Sequence, residues 1–186
     1  MADNESTTSK IANPAGLGLL AFGMTTMLLS LYNLGLYESN SIVLVMGVFY
    51  GGIAQIVAGI FEFKKGNTFG ATAFTSYGFF WLTFVVISLG FAGASEPAAL
   101  GAYFAIWGIL TLFLFIGTLK GSRALQAVFL GLTILFFVVA IKDALEIDSL
   151  AYVAGAVGIF TAASAMYTAF AEILNEQFGR TVLPLC

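Results

Sequence analysis

Histidine is absent from this chain, cysteine occurs once and charged residues are rare. Without histidine the protein lacks the usual side-chain proton shuttle and the commonest metal ligand. A single thiol, Cys186 at the last position, supports neither a disulfide framework nor a metal site. Since no pair of a nucleophile and a base is recognisable either, we expect no enzyme activity, no metal and no cofactor.

The scarcity of charge also indicates the class of protein. Only 9% of the residues are charged, whereas 60% are hydrophobic. A soluble domain of this length cannot bury that much apolar surface, because much of any soluble surface is polar. The net charge of −3 is too small to indicate a nucleic-acid partner. The composition therefore predicts an integral membrane protein whose constant partner is the lipid bilayer.

Six stretches of the sequence reach the length of about 20 apolar residues that a helix needs to cross a bilayer. They cover roughly 15–37, 41–62, 71–92, 97–119, 124–141 and 150–171. The segments between them are short and rich in turn-forming residues, and the alternating pattern of a β-barrel is missing. We therefore predict an all-α membrane protein with six transmembrane helices within 13–174. A flexible cytoplasmic tail at 1–12 precedes them, and a short cytoplasmic tail at 175–186 follows.

Charged residues are divided unequally between the two ends of these helices. Six of the seven basic residues fall at the end that also holds both termini, which we call the basic end: Lys10, Lys64, Lys65, Lys120, Arg123 and Arg180. The opposite, acidic end holds Lys142 and five carboxylates: Glu38, Glu96, Asp143, Glu146 and Asp148. Because positive charge stays cytoplasmic, we expect both termini inside the cell. The protein would then be a multi-pass protein of the plasma (cell inner) membrane.

A spacing of 55 residues relates the odd-numbered helices. The stretch "KKGNTFGATAF" at 64–74 aligns without gaps with "LKGSRALQAVF" at 119–129. The same spacing relates Phe22, Tyr77 and Leu132. We therefore predict three helical hairpins around an axis along the membrane normal, with helices one, three and five lining a central path. The three bulky residues would form a ring across that path or belong to an ordinary packed core, and the spacing leaves both interpretations open.

Polar side chains within the spans are few, and no ionisable residue lies at mid-membrane. A buried charge would mark a proton relay or an ion pair, so this absence argues against a pump, a haem protein and a retinal protein. Thr26 and the other hydroxyl residues either bond to their own helix or face a wet cavity. Glu62 and Glu172, 110 residues apart near the basic end, are candidate proton sites or solvated interface residues.

Four stretches of the sequence carry a family resemblance: "NPAGLGLLAFGMTT", "GVFYGGIAQIVAGIFEFKKGNTFGATAFTSYGFFW", "GTLKGSRALQ" and "LNEQFGRTVLP". From about Asn13 to Pro184 the chain resembles the acetate uptake transporter family, also called the succinate–acetate permeases. Gly16 stands where the family's NPAPLGL signature has its second proline. The resemblance implies transport of acetate, and in some members of succinate or other short monocarboxylates. It also implies six-helix protomers that assemble as homohexamers, with one path in each protomer.

The same resemblance assigns roles to individual residues. The Phe–Leu–Tyr constriction of the family maps to Phe22, Leu132 and Tyr77, the residues that the 55-residue spacing relates. The selectivity positions of the family map to Leu132 and Ala165. Since Ala165 follows Gln55 by two repeats, we expect both residues at an equivalent depth on the path.

The start of helix one, at Asn13, is a further candidate acetate site because helix N-termini hold anions. Two mechanisms remain open for the transporter. One is proton-linked transport, and the other is a passive channel for acetate or for neutral solutes such as urea or ammonia, which the lack of a mid-membrane charge favours. A membrane scaffold without transport activity is a third reading, but it leaves the polar residues within the spans unexplained.

Overall fold

The computed structural model describes residues 11–91 and 93–185, and every secondary-structure element in those two ranges is helical. Six helices are long and apolar enough to cross a membrane: α1 (Ala15–Asn33), α2 (Ser41–Lys65), α3 (Thr68–Ser88), α4 (Pro97–Thr118), α5 (Arg123–Ala144) and α6 (Leu150–Phe178). The six-helix prediction is therefore confirmed. Most of the predicted N-terminal tail lies outside the described residues.

Capping residues determine several of the helix ends, which therefore differ from the spans predicted by hydropathy. The Asn67 side chain accepts a hydrogen bond from the Gly70 N–H at 3.2 Å, and Ser122 accepts one from the Leu125 N–H at 3.2 Å, so α3 and α5 begin ahead of the apolar stretches. The last helix, α6, continues past the predicted span to Gly179, which ends it in the left-handed conformation at φ 61°. The predicted domain boundary at 174 therefore falls inside a helix.

Helix α2 contains a wide π turn over Gly47–Ala54 that no sequence pattern announces. Such turns occur as short insertions within α-helices, often at functional positions. Here the turn faces the indole of Trp81, because a Cβ added to Gly51 would lie only 2.9 Å from Trp81 Cγ. The π turn and its glycine thus make room for a large, buried side chain of α3.

The helices form a ring with three tight seams: α2 against α3, α4 against α5, and α6 against α1. Glycines make this close approach feasible, since small residues let membrane helices touch along their backbones. In each seam a Cβ added to a glycine would lie within 3.1 Å of a carbonyl oxygen of the facing helix: Gly78 against Gly52, Gly101 against Ala140, and Gly155 against Ser30. These positions explain why an apolar chain carries so many glycines.

The three predicted hairpins pack unequally. Helix α1 packs against α2 and α5 packs against α6, but α3 and α4 hardly touch along their backbones. Aromatic rings fill the space between them: Phe80 of α3 lies 6.0 Å from Tyr103 and 5.3 Å from Trp107 of α4, between ring centroids. The bulk of these side chains keeps α3 and α4, the two helices of the second hairpin, apart. The 55-residue spacing does not predict this difference between the hairpins.

Candidate substrate path

Phe22, Tyr77 and Leu132 lie in the buried core at the centre of the ring of helices, where they are 6%, 4% and 3% exposed. The ring centroids of Phe22 and Tyr77 are 6.1 Å apart. Phe129 and Phe136 of α5 also pack on the Tyr77 ring, with centroid distances of 6.2 and 6.4 Å. Leu132 lies between those two phenylalanines at helical spacing, so it belongs to the same face of α5.

Two cavities meet at these residues. The larger one, which we call the vestibule, has a volume of about 170 Å³ and reaches the acidic end at Lys142 and Asp143. The smaller one has a volume of about 20 Å³ and lies on the other side, toward the basic end. Phe22 and Leu132 line both cavities, and Tyr77 lines the smaller one. The smaller cavity has room for one water molecule, so a larger solute does not fit there in this conformation.

The hydroxyl group of Tyr77 is already engaged. It donates a hydrogen bond to Thr111 Oγ1 at 2.9 Å, and the Thr111 hydroxyl donates in turn to the carbonyl oxygen of Trp107 at 2.7 Å. Because its proton is used in this way, the phenol has none to offer a solute in the closed conformation. Sequence analysis missed Thr111, although a stripe of Tyr103, Trp107 and Thr111 at four-residue spacing runs along the otherwise apolar α4.

Three buried polar atoms beside the path have no hydrogen-bond partner within the described residues: Thr26 Oγ1, Gln55 Oε1 and Trp81 Nε1. Thr26 and Trp81 line the vestibule, and both groups can donate a hydrogen bond. Gln55 lines the small cavity, and its Nε2 is held by the Gly51 carbonyl at 2.8 Å, which leaves its oxygen as an acceptor. Donors therefore lie on one side of Phe22 and an acceptor on the other.

Most other serine and threonine hydroxyl groups within the helices bond to the backbone of their own helix, which is one of the two alternatives drawn from the sequence. Thr25, Ser30 and Thr133, for example, each donate to the carbonyl four residues earlier, at 2.7–2.8 Å. Ala165 is fully buried in the core, but neither cavity has it in its lining. Its neighbour Met166 packs against Gly23, in the seam between α1 and α6.

A polar network joins three helices at the basic end. Asn13 Nδ2 donates to Glu172 Oε2 at 3.0 Å, and Lys65 Nζ donates to Asn13 Oδ1 at 2.8 Å. The same oxygen accepts the N–H of Ala15, the first residue of α1, at 3.3 Å, so Asn13 also contacts the start of this helix. The carboxylate of Glu172 thus already binds the side chain of Asn13, which the sequence suggested as an acetate site.

Glu62 differs from Glu172 in its surroundings. Its side chain is fully buried, and neither carboxyl oxygen has a hydrogen-bond partner within the described residues. It lies at the start of α3, because a Cβ added to Gly70 would be 2.9 Å from Glu62 Cδ. An ionisable side chain buried within a membrane helix is costly, and such residues are candidates for function.

The comparison with known families agrees with the sequence resemblance. The profile of the GPR1/FUN34/yaaH family matches residues 3–185. The chain is 56% identical over 181 residues to the succinate-acetate/proton symporter SatP of Escherichia coli K12. The aligned region covers 95% of this chain and 96% of the symporter. It is also 35% identical over 180 residues to ammonia transport outward protein 2 of Saccharomyces cerevisiae, covering 90% of this chain and 64% of that protein.

The fold is also similar to that of a solved protein. A structure described as the bacterial acetate channel SatP superposes with a TM-score of 0.91 at 55% sequence identity, covering 95% of this chain and all of that chain. At this identity the likeness extends beyond the general fold to the arrangement of the six helices. The two descriptions differ in mechanism, since the Escherichia coli relative is named a symporter and the solved structure a channel.

Proposed function

Because the chain belongs to the GPR1/FUN34/yaaH family, we propose that it carries acetate, and more weakly succinate, across the plasma membrane. The path in each protomer would run from the vestibule, past Phe22, Tyr77 and Leu132, to the basic end. The observation that carries this proposal is the pair of cavities that share Phe22 and Leu132 as their common wall. An apolar wall of this kind can gate by excluding water.

The chemistry of the wall favours the neutral acid. A carboxylic acid such as acetic acid has a pKa of about 4 to 5, so it is mostly an anion near neutral pH. A bare carboxylate is costly to move through an apolar gap, and the Tyr77 proton is already donated to Thr111. In the proposed path, Thr26 and Trp81 would bind the carboxylate oxygens in the vestibule. The acceptor Gln55 Oε1 would receive the O–H of the protonated acid beyond the wall.

Passage of the neutral acid and symport of acetate with one proton have the same stoichiometry. They differ in whether the proton travels on the solute or on a protein side chain. Glu62 and Glu172 are the proposed side-chain carriers, and Glu62 is the stronger candidate because its buried carboxyl group has no partner among the described residues. This distinction would reconcile the names symporter and channel that the two relatives bear.

Acetate uptake into liposomes that contain the purified protein tests the function. A pH gradient, acid outside, should drive accumulation of labelled acetate, and an uncoupler should abolish it. Glu62→Gln separates the two routes: a proton relay through Glu62 would lose the gradient-driven accumulation, whereas passage of the neutral acid would keep it. Glu38→Gln, at the acidic end, is the matched control. No uptake above that of empty liposomes would refute acetate transport.

A second candidate function is passage of small neutral solutes such as ammonia or urea. The observation that favours it is the small cavity, whose 20 Å³ suits a molecule of the size of water or ammonia. Stopped-flow measurement of internal pH after an ammonium pulse would detect this activity. An internal pH change that is faster than in empty liposomes would support this activity. A response equal to that of empty liposomes would exclude it.

The proposed assembly is a homohexamer within the lipid bilayer, with the basic end and both termini on the cytoplasmic side. The outward face of α4 supports an assembly or lipid contact, since large apolar side chains such as Ile106 and Phe113 are 67% and 69% exposed. Native mass spectrometry in mild detergent tests the hexamer. A spectrum with monomers alone would contradict it.

A further inference from the structure

The seam between α3 and α4 is held mainly by side chains. Their backbones hardly touch, and two hydrogen bonds between side chains cross the gap. Tyr77 bonds to Thr111 at 2.9 Å, and Thr83 Oγ1 and Tyr103 Oη lie 2.8 Å apart nearer the acidic end. Only the first of these bonds involves a residue of the proposed constriction.

Thr111 provides the directional contact of the Tyr77 side chain. The other neighbours of the Tyr77 ring described above are the rings of Phe22, Phe129 and Phe136, at centroid distances of 6.1–6.4 Å. Contacts between aromatic rings tolerate a range of offsets and tilts, so they do not define one position of the ring. A hydrogen bond requires a narrow range of distance and angle, and Thr111 therefore restricts where the Tyr77 ring can lie.

The bonding of Thr111 makes it well suited to this role. It is fully buried, and its own proton is donated to the Trp107 carbonyl oxygen at 2.7 Å. That bond alone would satisfy the threonine as a donor, so its oxygen remains as an oriented acceptor for Tyr77. Hydrogen bonds arranged in such a chain strengthen one another in a low-dielectric interior. Thr111 itself lines neither of the two cavities.

We infer that Thr111 is a positioning residue that determines the selectivity of the path by holding the Tyr77 ring in place. This inference rests on the proposed function, in which Tyr77 forms part of the constriction. Without the bond, the Tyr77 ring could turn or shift toward the α3–α4 gap, and the constriction would widen. Longer monocarboxylates and succinate would then pass more easily relative to acetate.

The test is the flux ratio of propionate to acetate, and of succinate to acetate, in liposomes with full-length protein. Thr111→Val keeps the shape of the side chain and removes the acceptor. We expect it to raise both ratios about fivefold, the size of effect that one neutral hydrogen bond produces. Tyr77→Phe should give the same change, the double variant should add nothing further, and Thr111→Ser should restore both ratios to within about twofold.

Two matched controls separate positioning from a general loosening of the bundle. Thr161→Val removes a hydroxyl that is equally buried and makes the same bond to its own helix, to Val157 at 2.8 Å. Tyr103→Phe removes the hydroxyl group that makes the other contacts across the α3–α4 seam, with Thr83 Oγ1 at 2.8 Å and with the Phe80 carbonyl oxygen at 3.3 Å. Both controls should leave the flux ratios unchanged. If either one reproduces the effect of Thr111→Val, the positioning role is overturned.

The Tyr77 variants distinguish failure of this inference from failure of the proposed function. If Tyr77→Ala changes the flux ratios but Thr111→Val does not, Thr111 does not position the ring, and the constriction survives. If Tyr77→Ala also leaves the ratios unchanged, Tyr77 is not part of the constriction, and the inference falls together with that part of the proposed path. Acetate transport itself is refuted only by uptake equal to that of empty liposomes. Size-exclusion profiles in detergent show which variants are assembled, and Tyr77→Phe, which removes the donor of the same hydrogen bond, keeps the test decisive if Thr111→Val does not fold.

Discussion

Helix α3 packs against its neighbours in different ways in the half of the bundle nearer the acidic end and in the half nearer the basic end. Toward the acidic end, Phe80 stacks against Tyr103 of α4, and the vestibule of about 170 Å³ lies beside this aromatic cluster. Toward the basic end, a Cβ added to Gly59 of α2 would lie 2.8 Å from the Thr75 backbone nitrogen of α3. The buried cavity on that side of Phe22 and Leu132 measures about 20 Å³.

The difference indicates where the proposed path opens. Bulky aromatic residues keep neighbouring helices apart, whereas glycines let them touch. In the proposed path, a solute would therefore enter the vestibule at the acidic end, and its passage would require helices or side chains nearer the basic end to move. Asn13, which links Lys65 of α2 to Glu172 of α6, lies where such a movement would begin.

The largest effect should come from removing Phe80, the aromatic residue between α3 and α4 in the wider half of the bundle, which is the half nearer the acidic end. Phe80 packs against aromatic rings of α3, α4 and α5, among them Phe136 at 5.0 Å and Trp107 at 5.3 Å between centroids. Phe80→Ala would leave a cavity at this junction, so we expect a loss of about 3–5 kcal/mol in the free energy of unfolding. Thermal unfolding in detergent measures it.

Phe91→Ala is the matched control, because this phenylalanine, which follows the end of α3, is 80% exposed. A surface substitution of this kind should change the stability of the protomer by no more than about 0.5 kcal/mol. If the two variants are equally destabilised, the aromatic cluster does not hold α3 and α4 apart.

Sequence analysis could predict the depth of residues but not their rotation around a helix. Hydropathy located all six helices, and the 55-residue spacing related Phe22 to Tyr77, whose rings lie 6.1 Å apart. The same spacing related Gln55 to Ala165, yet Gln55 lines the small cavity and Ala165 does not. Equal spacing along the chain specifies the height in the membrane, whereas the facing direction depends on how each helix packs.

The partners of polar groups were also beyond the reach of the sequence. Thr111 lies 34 residues from Tyr77 on a neighbouring helix, and its hydrogen bond depends on the separation of α3 and α4. The π turn in α2 likewise follows from the need to accommodate Trp81. Both features arise from tertiary packing, which no local pattern of residues encodes.

The next effect in size should come from adding bulk to the tighter half. A methyl group at Gly59 would meet the Thr75 backbone, which cannot move aside as a flexible side chain can. Gly59→Ala should therefore destabilise the protein by about 1–3 kcal/mol through overpacking. Gly117→Ala is the control, since its nearest contact would be the Phe69 side chain at 3.3 Å. Equal unfolding temperatures for both variants would contradict the backbone contact as the cause.

Leu132→Ala tests the wall between the two cavities. Shortening this side chain should join the vestibule to the small cavity and admit longer or dicarboxylic acids. We expect the succinate-to-acetate flux ratio to rise about tenfold, equivalent to about 1.4 kcal/mol. Leu130→Ala, at a 45% exposed position of the same helix, should leave the ratio unchanged. An unchanged ratio in Leu132→Ala would show that Leu132 does not limit the width of the path.

The smallest effect should come from Asn13→Ala. Here the comparison between the two halves predicts whether the acetate flux rises or falls. Asn13 is exposed, so its hydrogen bonds to Lys65 and Glu172 contribute at most about 1 kcal/mol to stability. If these bonds hold the tighter half closed, Asn13→Ala makes separation of α1, α2 and α6 easier. Acetate flux per assembled protein should then rise, by up to about fivefold for a link worth about 1 kcal/mol.

The opposite sign would support the interpretation drawn from the sequence, in which Asn13 and the start of α1 bind the anion. In that case Asn13→Ala would lower the flux and raise the acetate concentration needed for half-maximal uptake. Thr83→Val is the matched control in the wider half, because it breaks a hydrogen bond of similar length to Tyr103. The vestibule lies in that half, so loss of the Thr83–Tyr103 hydrogen bond should leave the acetate flux unchanged. A rise in flux for both variants would mean that a general loosening of the bundle, rather than release of the basic end, accounts for the faster transport.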